Sequence, residues 1–249
     1  MKIFLSSVLI GFVTFFGVGQ DAEAADINLQ KVTPTEAENI YYDEEYGGYY
    51  DVNSEGYIEV YRVEDGKVVE KVDMKDYIKR QAIEPNESIS DSLYNSNDEG
   101  SNELSALTYR YAESSNVRRI QFGTRSSIIQ KNCGPGSDTL QIGYSASKGH
   151  TFNVNLLAAE KAAVKTGVNY TWTNSSSISS SHSMTIKEGY QGYWRFDPAI
   201  RSSSGTLYRY NGPLTSSKKI TTTYPVKIGP NLDGELVSVK TKMPASQCN

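Results

Sequence analysis

Two histidines and two cysteines are the side chains of this 249-residue sequence best suited to specific chemistry. His150 and His182 both fall at even positions of alternating runs. If those runs pair near their connector, the two imidazoles come close enough to share a metal ion or to sense pH; otherwise they are ordinary half-exposed strand residues. Neither belongs to a His-Glu-x-x-His or nucleophile-elbow pattern. No phosphate-binding glycine loop, EF-hand loop or dinucleotide fingerprint occurs. The chain therefore reads as a non-enzyme, with no catalytic residue, no metal ligands and no cofactor assigned. Cys133 and Cys248 lack Cys-x-x-Cys spacing and are a weak zinc signal. In an exported protein they are expected to form a disulfide. Closing a loop of about 115 residues would stabilise the fold by about 4–5 kcal/mol in the chain-entropy picture.

Export is expected from the first 24 residues. Lys2 is a short basic start, Ile3 to Val18 is an apolar core, and Ala22-Glu23-Ala24 fits a cleavage site, with the cut between Ala24 and Ala25. The apolar run is short for a membrane-spanning helix. Residues 1–24 thus read as a signal peptide and the mature protein as secreted.

Charge divides the rest. Residues 25–105 carry 20 Asp or Glu against 7 Lys or Arg, a net of −13; residues 106–249 carry 7 against 17, a net of +10. The cations of the second part, such as Arg110, Arg118, Arg119, Arg125 and Lys131, are scattered and accompany no nucleic-acid motif, so no nucleic-acid partner is expected. A basic exported surface suits an anionic cell envelope or lipid headgroups. The acidic region 25–82 is either a propeptide that shields this surface or a small domain that is never removed. As a propeptide it would be cut at Lys79-Arg80 or within the polar linker 83–105.

The elements read as β throughout. Tyr57 to Val63 alternates, Asp65-Gly66 is a hairpin turn signal, and Val68 to Val72 returns. Met74 to Gln81 suits a short helix. Strands are expected at 107–112, 117–122, 190–196, 206–210, 219–227 and 236–240, with turns at 132–136 and Ser202 to Gly205. The fold class is all-β: a mainly antiparallel, elongated domain over 106–249, behind a small, partly disordered acidic N-terminal region.

Residues 139–186 organise this domain. Leu140, Ile142, Tyr144, Phe152, Val154 and Leu156 fall at even positions of a first run. Val168, Tyr170, Trp172, Ile178, Met184 and Ile186 fall at even positions of a second. The odd positions of the second run are Asn, Thr and Ser without exception. Each run would present one mostly apolar and one neutral polar face. The pattern suits a pore-lining hairpin or two half-exposed strands. An Ala-rich connector, Leu156 to Thr166, is either a short amphipathic helix or the tip of a long hairpin. Tyr190, Tyr193 and Trp194 are candidate surface-binding aromatics at a membrane interface or on sugars; Trp194 and Phe196 equally suit a sheet core.

The Ser/Thr-rich run Asn169 to Ile186, followed by a Gly-containing turn and an aromatic strand, resembles the membrane-inserting module of aerolysin-type β-pore-forming toxins, the epsilon-toxin and mosquitocidal-toxin relatives. The resemblance covers about Asp138 to Tyr210. It implies secretion as a monomer, oligomerisation on a target membrane, and refolding of 139–186 into a barrel hairpin. Odd-face Ser, Thr and Asn would line the lumen and even-face residues would meet lipid. The even face departs from this pattern at Lys148, His150, Asn174, Ser176, Ser180 and His182. A Lys facing lipid at mid-bilayer costs roughly 2–4 kcal/mol, so only parts of each run would span.

Overall fold

Alternating runs punctuated by turn residues fold as antiparallel strands in the computed structural model, which describes residues 32–83, 107–168 and 175–248. The signal peptide expected over 1–24 with its Ala24-Ala25 cut, the expected linker from residue 84 onward, and Tyr170 and Trp172 lie outside the described residues.

The acidic segment builds β1 (Val32–Pro34), β2 (Ile40–Asp43), β3 (Gly48–Asp51), β4 (Gly56–Glu64), β5 (Lys67–Lys71) and α1 (Met74–Ile83). Between β4 and β5, Asp65 and Gly66 both hold positive φ, 47° and 77°. That geometry is the two-residue turn whose twist matches the strands it joins.

The second half supplies β6 (Thr108–Ile120), β7 (Thr124–Arg125), β8 (Gln130–Asn132), β9 (Ser137–Gly149), β10 (Thr151–Phe152), α2 (Ala158–Gly167), β11 (Ser175–Lys187) and β12 (Tyr190–Tyr210). It ends with β13 (Leu214–Pro225), β14 (Lys227–Ile228), β15 (Asn231–Leu232) and β16 (Gly234–Lys242).

β12 is the spine. Its 21 residues extend roughly 70 Å at about 3.3 Å per residue. Along one edge it pairs first with β16, over Tyr190 to Pro198, and then with β13, over Ile200 to Tyr210. Along the other edge it meets β8, β7 and β6 in turn. The change of partners falls at Pro198-Ala199, where a residue without an N–H fits a gap in the ladder.

Two expectations are corrected here. The turn at Ser202 to Gly205 is strand: Ser202, Ser203 and Ser204 pair with β13 on one side and β6 on the other. Gly205 serves packing instead, since a Cβ there would sit 2.4 Å from the Ala112 carbonyl oxygen and 2.6 Å from the Tyr111 ring. Likewise 107–112 and 117–122 are one strand, β6. Polar residues 113–116 stay extended because β12 pairs with them.

The acidic and basic segments, drawn apart by charge, meet in one sheet. β4 pairs with β16 over seven residues, Tyr57 to Val63. The attraction between them is partly specific: Asp51 pairs with Arg195, and Glu59 with Lys240. One pair runs the other way, with Arg80 of the acidic segment donating to the buried Glu235 at 2.6 Å. Removing 32–83 would strip β16 of its neighbour and uncover Val237 and Val239, both fully buried.

Three apolar clusters result. One sheet face packs under β9 and β11. The opposite face, with Ile58, Val60, Val237 and Val239, packs under Tyr77 and Ile78 of α1. α2 closes the far end through Val164, beside Leu207, Ile220 and Tyr224.

Tyrosines crowd the β2–β4 meander: Tyr46 stacks on Tyr57 at 3.6 Å, and the Tyr57 hydroxyl donates to Asp43 at 2.6 Å. Burial pushes the Tyr46, Tyr57 and Tyr77 hydroxyls above the ordinary range, and Tyr61 up to about 12. Unfolded tyrosines lose their protons near about pH 10 while native ones keep them. Between these values the native state binds more protons, so stability falls as pH rises from about 10 to 12. Native protein will accordingly develop less tyrosinate absorbance across that window than protein in urea. Superimposable titrations in the two states would refute the shift.

Candidate functional site

β9 and β11 form a two-stranded sheet of their own. Their register pairs Gly149 with Ser175 at one end and Ser137 with Lys187 at the other. Direct partners lie on the same face, so even residues face even and odd face odd. All odd residues from Ser137 to Ser147 and from Ser175 to Lys187 are exposed. They are Ser, Thr, Gln and Gly, ending at Lys187. The Gln141 amide donates to Ser181, and Thr139 and Thr185 hydroxyls meet across the strands at 2.9 Å.

The even face is the core side. Ile142, Tyr144, Ile178, Met184 and Ile186 are buried against Trp194, Phe196, Val63, Leu232 and Leu236. Leu140 and Ala146 pack at the margin. The period-two pattern therefore assigns both faces of the hairpin.

The paired region is shorter than the stretch 139–186. Phe152 lies on β10, opposite Thr222 of β13; Leu156 and Val168 are buried beneath α2; Val154 is 39% exposed. None of the four lies on the hairpin face; Phe152, Leu156 and Val168 join other parts of the molecule. The connector is the helix α2, started by Glu160, whose carboxylate accepts the Leu157 N–H at 2.8 Å and pairs with Lys218.

The two histidines do not meet. His182 is the partner of Ile142, which sets it eight residues from His150, roughly 25 Å along a strand. His182 lies between the rings of Tyr61 and Trp194, at 5.1 and 5.6 Å, and burial lowers its pKa. His150 packs against Phe152. Among the described residues no three His, Cys, Asp or Glu side chains are grouped to hold a metal ion. No helix among them is long and apolar enough to cross a membrane.

The paired strands β9 and β11 are attached to the body mainly by side chains, whereas the segment connecting them is held by the backbone pairing of β10 with β13. One backbone bond joins β9 to the strap 126–129: the Ser145 N–H donates to Ser126 C=O at 2.8 Å. Beside it runs a groove of about 790 Å³ bounded by Ile128, Ile129, Tyr144 and Ser179. At the base, Asn132 is the clasp. Its amide group donates to the carbonyls of Gly136 (3.0 Å) and Ile186 (2.9 Å), the two ends of the hairpin. The next residue, Cys133, is bonded to Cys248, so the disulfide anchors the chain's end to this base. Lys187 adds a tie to the N-terminal meander: its ammonium donates to the Tyr46 carbonyl at 3.1 Å and lies 3.8 Å from that ring's centre.

Trp194 is fully buried and is no surface aromatic; the strand alternation that exposes neither face of β12 here puts it under the hairpin. Tyr190 and Tyr193 are half-buried, and an odd separation places them on opposite faces. Lys79 and Arg80 lie in α1, and Arg80 is tied to Glu235. A protease would meet this dipeptide only after the helix opens.

Sequence reasoning missed a buried charge cluster on the other face of β12. Arg195, 2% exposed, makes two parallel bonds to Asp197 at 2.8 Å and a third to Asp51 at 3.2 Å. It also contacts Ser54 and the Tyr77 hydroxyl. Burial opposes the guanidinium's charge, but Asp197 and Asp51 outweigh it and hold its pKa up. The legible signal was Arg195-Phe196-Asp197, opposite charges two apart inside an apolar run, hence on one buried face. No protein-family model matches this chain, nor does any curated protein or solved structure.

Proposed function

We propose that this is a secreted protein of the aerolysin-type pore-forming kind, which permeabilises a target membrane by oligomerising and releasing the β9–β11 hairpin. The observation that carries the reading is the hairpin itself. A neutral, hydroxyl-rich face is fully exposed, an apolar face is hidden, and a single backbone bond joins its flank to the strap. Thirteen residues per strand exceed the roughly 9–11 that cross a bilayer when tilted. Residues 1–24 would direct export, and the disulfide fits an oxidising compartment.

Magnitudes restrict how release happens. Five buried side chains at about 1.5–3 kcal/mol each make the hairpin interface worth on the order of 10 kcal/mol. That rivals the stability of a whole domain, so a lone monomer in water keeps the hairpin closed. Only burial of the same face in lipid, within a closed barrel of several copies, offsets it. The integration of β4 into the sheet favours retention of 32–83 in the active form.

A second reading draws on the same core: the hairpin is a permanent layer, and the protein binds an envelope surface without inserting. A crosslink separates the two. Ser126 and Ser145 are joined by a backbone bond between extended segments, and such neighbours approach disulfide spacing. S126C/S145C, oxidised, will keep its fold and lose dye release from liposomes, at least tenfold against wild type. Reduction will restore release to that of wild type treated with the same reductant. Undiminished leakage from the oxidised variant would exclude hairpin release. No leakage from wild type over anionic, neutral and sterol-containing vesicles, with only monomers found, favours the permanent layer.

A further inference from the structure

The sheet face roofed by α1 is left open at one end. Thr33, Tyr42, Tyr49 and Ile58 are successive cross-strand partners on β1, β2, β3 and β4, so they share that face. Ile58 is covered, in the same cluster as Ile78 of α1. Beyond the helix edge a groove of about 500 Å³ remains. Tyr42 and Tyr49 line it, both half-buried, with ring centres 5.1 Å apart at 63°. Pro34 and Ile78 add apolar wall, and Lys75, Lys79 and Glu36 supply its charged groups.

The two lysines are the unusual part. They stand one helical turn apart on α1, exposed, in a segment rich in carboxylates. Arg62 is committed to Glu64 and Glu70, Lys71 to Glu59 and Arg80 to Glu235, while Lys67, on β5, is not among the residues lining the groove. Neither Lys75 nor Lys79 has an ion-pair partner among the described residues. Both lysines line the groove beside the half-buried rings of Tyr42 and Tyr49.

We propose that this groove binds a carboxylate-bearing sugar, a uronic or sialic acid residue of a surface glycan. Tyrosine rings offer apolar surface for the C–H face of a pyranose while their hydroxyls reach its polar rim. The paired ammonium groups complement a carboxylate as point charges. Glu36 accepts from sugar hydroxyls. The volume falls within the roughly 300–1,000 Å³ of small-ligand sites. A phosphate is less well served: the α1 N-terminus that would hold it is already occupied by Asp73, whose carboxylate accepts the Lys75 N–H at 2.8 Å. An all-apolar partner would leave two ammonium groups dehydrated and unpaired. The proposal is independent of whether the hairpin inserts.

Saturation-transfer NMR on the full chain tests it with three probes: sialyllactose, tri-galacturonic acid and lactose. At low salt at least one acidic probe will receive saturation and lactose will bind at least tenfold more weakly. Which acidic probe responds tells a sialylated surface from a uronate polymer. K75E/K79E will weaken the acidic probe at least tenfold with its thermal melt unchanged, because both side chains are exposed. Tyr42→Ala will weaken the acidic probe likewise, because its ring is part of the platform, and 0.5 M NaCl will weaken binding in wild type. Absence of binding by both acidic probes overturns the proposal, as does binding that survives K75E/K79E.

Discussion

Replacing Arg195 by alanine will cost this protein about 3–5 kcal/mol and lower its melting temperature by roughly 6–20 °C. The charge is almost fully buried and faces two buried carboxylates, Asp51 and Asp197. Removing it leaves both without their counter-ion in a site that water does not reach, and each must protonate or be hydrated by local opening. The loss extends beyond one strand. Asp51 starts the turn at 52–54 by accepting the Asn53 N–H, Asp197 accepts the Gly123 N–H at 3.0 Å, and Tyr77 belongs to α1. The N-terminal segment, β12 and the β6–β7 junction therefore converge on one guanidinium. R195A/D51N/D197N tests the mechanism, because it removes the orphaned charges along with the cation. It should recover part of the loss, as measured by urea unfolding. A change below about 1 kcal/mol in R195A would show the cluster to be solvated.

Loss of the disulfide comes second. Cys133→Ser with Cys248→Ser will destabilise by about 2–5 kcal/mol. The bridge spans 115 residues, a long loop whose closure entropy is lost from the unfolded chain. Its location gives the prediction a local signature. Cys133 follows the Asn132 clasp, and Met243, five residues before Cys248, donates its N–H to Gly189 at the hairpin's other root. Without the bridge, amides of β9 and β11 near residues 137–141 and 183–187 should exchange faster in hydrogen exchange. Those of α1, on the opposite sheet face, should change only with global stability. Uniform acceleration would mean the bond stabilises the fold without pinning the hairpin.

Much of the architecture was legible because its causes are local. Asp65-Gly66 fixes a hairpin by turn geometry, and Met74 to Gln81 gives a helix by period. The even and odd faces of 140–146 and 178–186 follow from alternation alone, since strand side chains point to opposite sides wherever the strand lies. Cys133 and Cys248 could pair only with each other.

What failed was everything that depends on a neighbour strand. Ser202 to Gly205 resembles a turn in isolation, yet two flanking strands bond to every residue of it. Phe152, Leu156 and Val168 continue the alternation on paper, but β13 and α2 claim them. The charge division suggested two separable regions, whereas β4 and β16 share a ladder.

The sequence by itself determined that the chain would fold as antiparallel β-structure with a neutral, hydroxyl-rich face on β9 and β11. Composition and period act on each strand without reference to the rest. Only the tertiary structure decided what covers the opposite face, how far the two runs pair, and that Arg195 would be buried between two carboxylates. Those outcomes depend on contacts between residues as far apart as Asp51 and Arg195, and no local pattern encodes which distant surface will arrive.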